Sequence, residues 1–169
     1  MISSQDCVDV LTILRTSLED NGYGDIVEDR FYDTYLLRKG PREVPQAFDS
    51  TGILLGPAVV LPSPMSTPNE QDASVVDVVD DNFTFWLYAA DSDEGWEHLH
   101  FLVRYIRSLF RDADVRFTRG VYGFFRWVGG MQVRRNHEEF QGSINANVRF
   151  LCTYVEPRIV QPYSAIESA

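Results

Sequence analysis

At 169 residues, 44% hydrophobic and 13% aromatic, the chain has enough apolar material for one sizeable core and is neither disordered nor fibrous in composition. No apolar run approaches the roughly 18 residues of a membrane span. The opening MISSQDCVDV lacks the basic-then-apolar start of a secretory signal, so a soluble protein made in the cytoplasm is expected, and the net charge of −10 disfavours general nucleic-acid binding, which needs local positive charge.

That charge is unevenly spread. Residues 1–100 hold 19 acids and 5 basic residues, whereas residues 101–169 hold 6 acids and 10 basic residues. Every basic residue except Lys39 is arginine, the better bidentate partner for carboxylates. A subunit with an acidic part and a basic part can join copies of itself acid to base. The two cysteines, Cys7 and Cys152, read as buried thiols in a reducing compartment.

The first helix is expected from a cap at Ser3 or Ser4 to Asp20, with Val8, Leu11, Leu14 and Leu18 at helical spacing and Asn21-Gly22 as the stop. Phe31, Tyr32, Tyr35, Leu36 and Leu37 suggest a strand. Residues 52–60 suggest another, interrupted by Pro57. Pro62, Pro64 and Pro68 then mark residues 61–74 as an extended loop. Val75 to Val79 reads as a short strand ended by a turn at Asp80-Asp81-Asn82.

Phe83, Phe85 and Leu87 alternate with Thr84, Trp86 and Tyr88, as in a strand covered on both faces. Asp91 is placed to cap the next helix, with Glu94 reaching back as in a capping box. Trp96, Leu99, Leu102, Val103, Ile106, Leu109 and Phe110 form its apolar arc, widened by Phe101 and Tyr105. His100, Arg104, Arg107 and Arg111 form a basic stripe opposite.

Val115 to Arg119 and Val121 to Val128 read as strand, broken at Gly120 and Gly123, and Met131 to Arg135 as its continuation. The segment Arg134-Arg135-Asn136-His137-Glu138-Glu139 is too polar for a core and reads as a projecting hairpin tip. Ile144, Ala146, Val148, Phe150, Cys152 and Tyr154 then alternate along a final strand. Its other face begins polar at Ser143, Asn145, Asn147 and Arg149 and turns apolar at Leu151 and Val155, so it should be wet at its start and covered at its end. From Pro157 the chain reads as an extended tail.

Little here suggests catalysis. His98 and His100 lie about 200° apart on a helix, wrong for one metal ion. His137-Glu138-Glu139 lacks the second histidine of a zinc-protease helix, with Gln141 in its place. Asp49-Ser50-Thr51-Gly52 begins like an aspartic-protease loop but has no partner motif to supply a second carboxylate. There is no phosphate-cradling GxxxxGK[ST] segment. No catalytic residue, cofactor or metal is assigned. The strip Val115 to Arg135 interleaves arginines with Phe117, Tyr122, Phe124, Phe125 and Trp127, residues able to stack bases. The favoured reading is instead a hairpin with aromatic core positions and solvated or inter-subunit arginines.

The strand, the following AADSDEGWEHLHFLVRYIRSLF and the late alternating GSINANVRFLCTYVEP together resemble the tail-terminator (tail-completion) proteins of long-tailed bacteriophages. The resemblance covers residues 75–156, with looser agreement over residues 5–20. It implies a structural virion protein forming a ring, usually of six subunits, that caps the tail tube at its head-proximal end. Its partners would be copies of itself, the tail-tube protein and the head connector protein, with DNA crossing the lumen without specific binding and no membrane involved. Alternatives are another head–tail neck subunit, or a small enzyme with an unrecognised site. The expected fold is a single α+β domain over residues 1–156, a mixed, largely antiparallel sheet with two main helices packed on it, followed by an extended tail over residues 157–169. The expected contact residues are Arg104, Arg107 and Arg111 on the helix and Arg134, Arg135, His137, Glu138 and Glu139 at the hairpin.

Overall fold

The computed structural model describes residues 2–34, 48–49, 53–63, 67–72, 76–135, 140 and 142–157. The first helix, α1 (Ser4–Asp20), starts where the sequence placed it. The Ser3 hydroxyl accepts from the Asp6 N–H, and the Asp6 carboxylate accepts from the Ser3 N–H at 3.0 Å. This is a capping box with aspartate in the usual glutamate position. Cys7, Val10, Leu11, Leu14 and Leu18 are buried. Val8, expected on that face, is 39% exposed, because full burial of Cys7 turns its neighbour about 100° away. A second, short helix, α2 (Gly24–Val27), was not expected.

Among the described residues seven strands form one sheet: β1 (Phe31–Tyr32), β2 (Ala58–Val60), β3 (Thr67–Asp72), β4 (Val76–Ala90), β5 (Asp114–Arg116), β6 (Tyr122–Arg135) and β7 (Ser143–Pro157). The order is β1-β2-β4-β7-β6-β5, with β3 also paired to β4. Only β1–β2 is parallel, so this is the expected mixed, largely antiparallel α+β fold. β2 begins directly after Pro57, and residues 35–47 and 50–52, which carry the rest of two strand expectations, lie outside the described residues.

Three expectations along β4 are corrected. The anticipated loop contains β3, which lies at the sheet edge, where a proline such as Pro68 is tolerated. The turn at Asp80-Asp81-Asn82 does not exist, and β4 runs straight through it. β7 supplies partners for the two acids: the Thr153 hydroxyl donates to Asp80 at 2.5 Å and the Tyr154 hydroxyl donates to Asp81. Nor does Asp91 cap the long helix α3 (Asp93–Phe110). Ser92 does, its hydroxyl accepting from the Gly95 N–H at 3.1 Å. Asp91 is held as the end of the strand by its N–H to Gly142, and its carboxylate accepts from the Trp96 indole at 2.8 Å.

α1 and α3 share one core with one face of the sheet. Leu99, Leu102, Ile106 and Phe110 of α3 meet Phe83, Phe85 and Leu87 of β4, Phe125 of β6 and Val148 and Phe150 of β7. The expected inward set of β7 is buried throughout. Its other face is the reverse of expectation: Ser143, Asn145 and Asn147 are buried and Val155 is 49% exposed. Asn145 and Asn147 lie opposite Tyr88 and Trp86 of β4, and a second cluster of Phe48, Leu54, Ala58, Val60, Tyr88 and Phe140 covers that end.

β6 is not broken at Gly123. Hydrogen there leaves room for Cys152 Sγ and the Phe117 ring, both of which a Cβ would meet within 3 Å. The ladder shifts register between Trp127 and Gly129, where Gly129 adopts φ 131°, a conformation that suits glycine alone.

Candidate interaction surfaces

β5, β6 and β7 present one side to the helices and the other outward. Register sets the outward positions: Asp114 lies opposite Phe124, Arg116 opposite Tyr122, Phe124 also opposite Thr153, and Arg126 opposite Leu151. Strand alternation sinks Phe125 into the core and leaves Phe124 and Arg126 exposed. Tyr122 is 61% exposed, with the Arg116 guanidinium 5.7 Å from its ring centroid. Arg149, also exposed, lies on the same side opposite Thr84. Among the described residues, Arg116, Arg126 and Arg149 have no carboxylate partner. The sequence strip Val115 to Arg135 flagged most of this face. It missed Arg149, which the β7 alternation places beside Leu151.

Carboxylates collect around α2, which adjoins the start of α3, and at the end of α1, which meets α3 at Tyr105. Asp20, Asp25, Asp29, Asp93 and Glu97 are exposed there, again without an ion pair among the described residues. Leu55, 58% exposed, lines a shallow cleft with Asp25, Glu94 and His98.

The helix stripe divides. Arg104 and Arg111 are exposed, and Arg111 lies 3.9 Å from Asp112. Arg107, expected on a solvent face, is half-buried with its guanidinium 5.3 Å from the centroid of Trp127. The reason is that β6 runs on past the end of β5 and brings Trp127 under the helix. Arg107→Ala is therefore expected to lower stability by about 0.5–1 kcal/mol, the worth of an exposed cation–π contact. A double-mutant cycle with Trp127→Leu in urea unfolding measures it; strictly additive losses would show that the ring contact contributes nothing.

Of the hairpin residues, Arg134 and Arg135 are exposed at the end of β6. Arg135 donates to Asp91 at 3.0 Å, tying the hairpin base to the start of α3. His137, Glu138 and Glu139 lie outside the described residues.

The turn after β5 is latched to α1 by contacts no sequence pattern announces. The Thr118 N–H and hydroxyl both donate to Asp9 at 2.8 Å. Burial pushes the Asp9 carboxyl up, but the bonds from Thr118 and from Gln5 outweigh it and hold the group below the usual carboxylate range. Arg119 reaches the buried Asp6 at 3.1 Å and Glu156 at 2.7 Å.

Both cysteines are free and buried. Burial pushes the Cys7 thiol up to about 12 and raises that of Cys152 as well, which disfavours the reactive thiolate. Among the described residues no group of three His, Cys, Asp or Glu side chains is placed to hold a metal ion, and no helix is long and apolar enough to cross a membrane.

No family model matches the sequence, and no curated protein matches it. Among solved structures, the chain is similar in fold to a chain from the virion of a native gene transfer agent (GTA) particle, with a TM-score of 0.62 at 14% identity over 89% of this chain and 94% of that one.

Proposed function

We propose that this chain is a structural virion protein, a tail terminator that closes into a ring of six on the head-proximal end of a tail tube. The observation that carries the reading is the fold likeness to a virion chain, which spans nearly the whole length of both proteins. The resemblance of residues 75–156 to tail-terminator proteins supports the finer role. The molecule works by association. Its sheet and helices form a rigid frame, and exposed arginines on the sheet face with exposed acids at the helix corner suit contacts between subunits. Loops engage the tail-tube protein on one side of the ring and the head connector on the other. Arg104, and Arg111 beside Asp112, are exposed to a partner on the helix side. A ring of such acidic subunits repels phosphate, so DNA crosses the lumen without specific binding.

Native mass spectrometry tests this, with the protein alone and with tail-tube protein. The expected species is a closed ring of six 19.4 kDa chains that binds tube protein and stops its polymerisation. Binding to a portal ring in place of tube protein would move the role to another neck subunit. A strict monomer in both mixtures and in assembled particles would end the ring reading.

A further inference from the structure

We propose that neighbouring subunits meet heterologously: the outward arginine–aromatic face of β5, β6 and β7 on one copy seats on the acidic helix corner of the next. This deepens, and rests on, the ring reading above. The sheet face offers Arg116, Arg126 and Arg149 without carboxylate partners among the described residues, around the exposed rings of Tyr122 and Phe124, with Asp114 exposed beside Phe124 at the margin. Its occupant must bring several carboxylates and some apolar surface. The chain carries such a surface itself. Asp20, Asp25, Asp29, Asp93 and Glu97 are exposed at the helix corner, beside Leu55 and the 41% exposed Tyr23.

The two patches are separate, with Arg149 level with Thr84 at the middle of β4. The acidic corner adjoins Ala89 and Ala90, where β4 finishes. Phe124 and Arg126 instead stand level, through Thr153 and Leu151 of β7, with Asp80 and Asn82 in the first half of β4. Because the patches do not overlap, the contact is head-to-tail, the kind that closes into a ring when its rotation permits. Complementary charge selects the partner and speeds encounter, and the aromatic rings supply apolar area at the centre. A nucleic acid fits the same face less well: three guanidiniums on a chain of net charge −10 give few phosphate contacts.

A charge swap tests the pairing. One variant carries Arg126→Glu with Arg149→Glu, and the other Asp29→Arg with Glu97→Arg, which lies beyond the first turn of α3. All four positions are exposed, so each variant should keep the wild-type circular dichroism and melting temperature. Each alone should associate about tenfold or more weakly than wild type, because like charge then faces like charge. Mixed in equal amounts they should form a ring in which the two alternate, read by native mass spectrometry from their different masses. The neutral pair Arg126→Ala with Arg149→Ala should give an intermediate loss and serves if a reversal impairs folding. If wild type forms rings but either reversal does so equally well, or the mixture stays monomeric, the pairing is wrong and the ring reading stands. Wild type that never assembles ends both. A single-stranded oligonucleotide that binds wild type and not the arginine variant, with assembly unchanged, would reassign the face to nucleic acid and overturn the proposal.

Discussion

Phe150→Ala is expected to lower the unfolding free energy by about 3–5 kcal/mol, the usual range for removing a fully buried aromatic ring. Phe150 has no solvent exposure and stands where the layers meet. Its ring centroid lies 6.0 Å from those of Phe85, Phe110 and Phe125, which come from β4, α3 and β6. Three separately anchored elements border the gap, so it cannot close by moving one side chain. Native domains are stable by roughly 5–15 kcal/mol in all, so the loss is a large fraction of the total, with a drop in melting temperature of about 10 °C. Urea unfolding measures it as a lower midpoint at unchanged slope. Phe150→Leu, which refills much of the volume, should cost less than half as much. A Phe150→Ala loss under about 1 kcal/mol would mean that the three-element core collapses freely around the missing ring.

Gly95→Ala should destabilise the protein, against the rule for helices. Alanine is favoured over glycine inside a helix by up to about 1 kcal/mol, and Gly95 lies in the first turn of α3. A Cβ on Gly95, however, would overlap the carbonyl oxygen of Ala90 and come within 3.1 Å of its carbon. These are backbone atoms at the end of the longest strand pairing, held by the Asp91 N–H to Gly142. Relieving the overlap means moving the start of α3 off the sheet. Overpacking of this kind costs about 1–3 kcal/mol, enough to reverse the sign of the propensity effect. Ser108→Ala, on the exposed side of the same helix, serves as the control and should be neutral or slightly stabilising. A more stable Gly95→Ala protein would show that the junction yields at little cost.

Features governed by local spacing were readable in advance. Ser3 and Asn21 bound α1, the arc of Leu99, Leu102, Ile106 and Phe110 faces the core, and the alternate residues from Ile144 to Tyr154 point inward. Each depends on periodicity over a few turns or strand positions. Features governed by distant partners were not readable. Asp80 and Asp81 look like a turn until Thr153 and Tyr154 are placed beside them. The outer face of β7 was assigned backwards because Phe48, Leu54 and Phe140 cover its polar end from far away in the chain. The surface was half legible for the same reason. The arginines between Val115 and Arg135 stood out by composition, but only strand register sets Arg149 beside Arg126 and draws Arg107 away to Trp127. The acidic corner gathers pieces of three helices, and no sequence window contains it.

β4 and β7 pair along their whole lengths, from Val76 with Pro157 to Ala90 with Ser143, between positions always more than fifty residues apart. Closing so long a chain segment costs entropy before any ladder contact repays it, and such pairings slow folding. The β6–β7 hairpin and α3 are local and need not wait. The order expected is therefore that these form early and that docking of the hairpin onto β4 completes the core. Among the described strands β7 is also the last to leave the ribosome. Arg126 and Arg149 meet on the hairpin itself, but only that docking covers the hairpin's other side and fixes this face as the outward one, so the order of folding itself acts as a check on which subunits are fit to assemble.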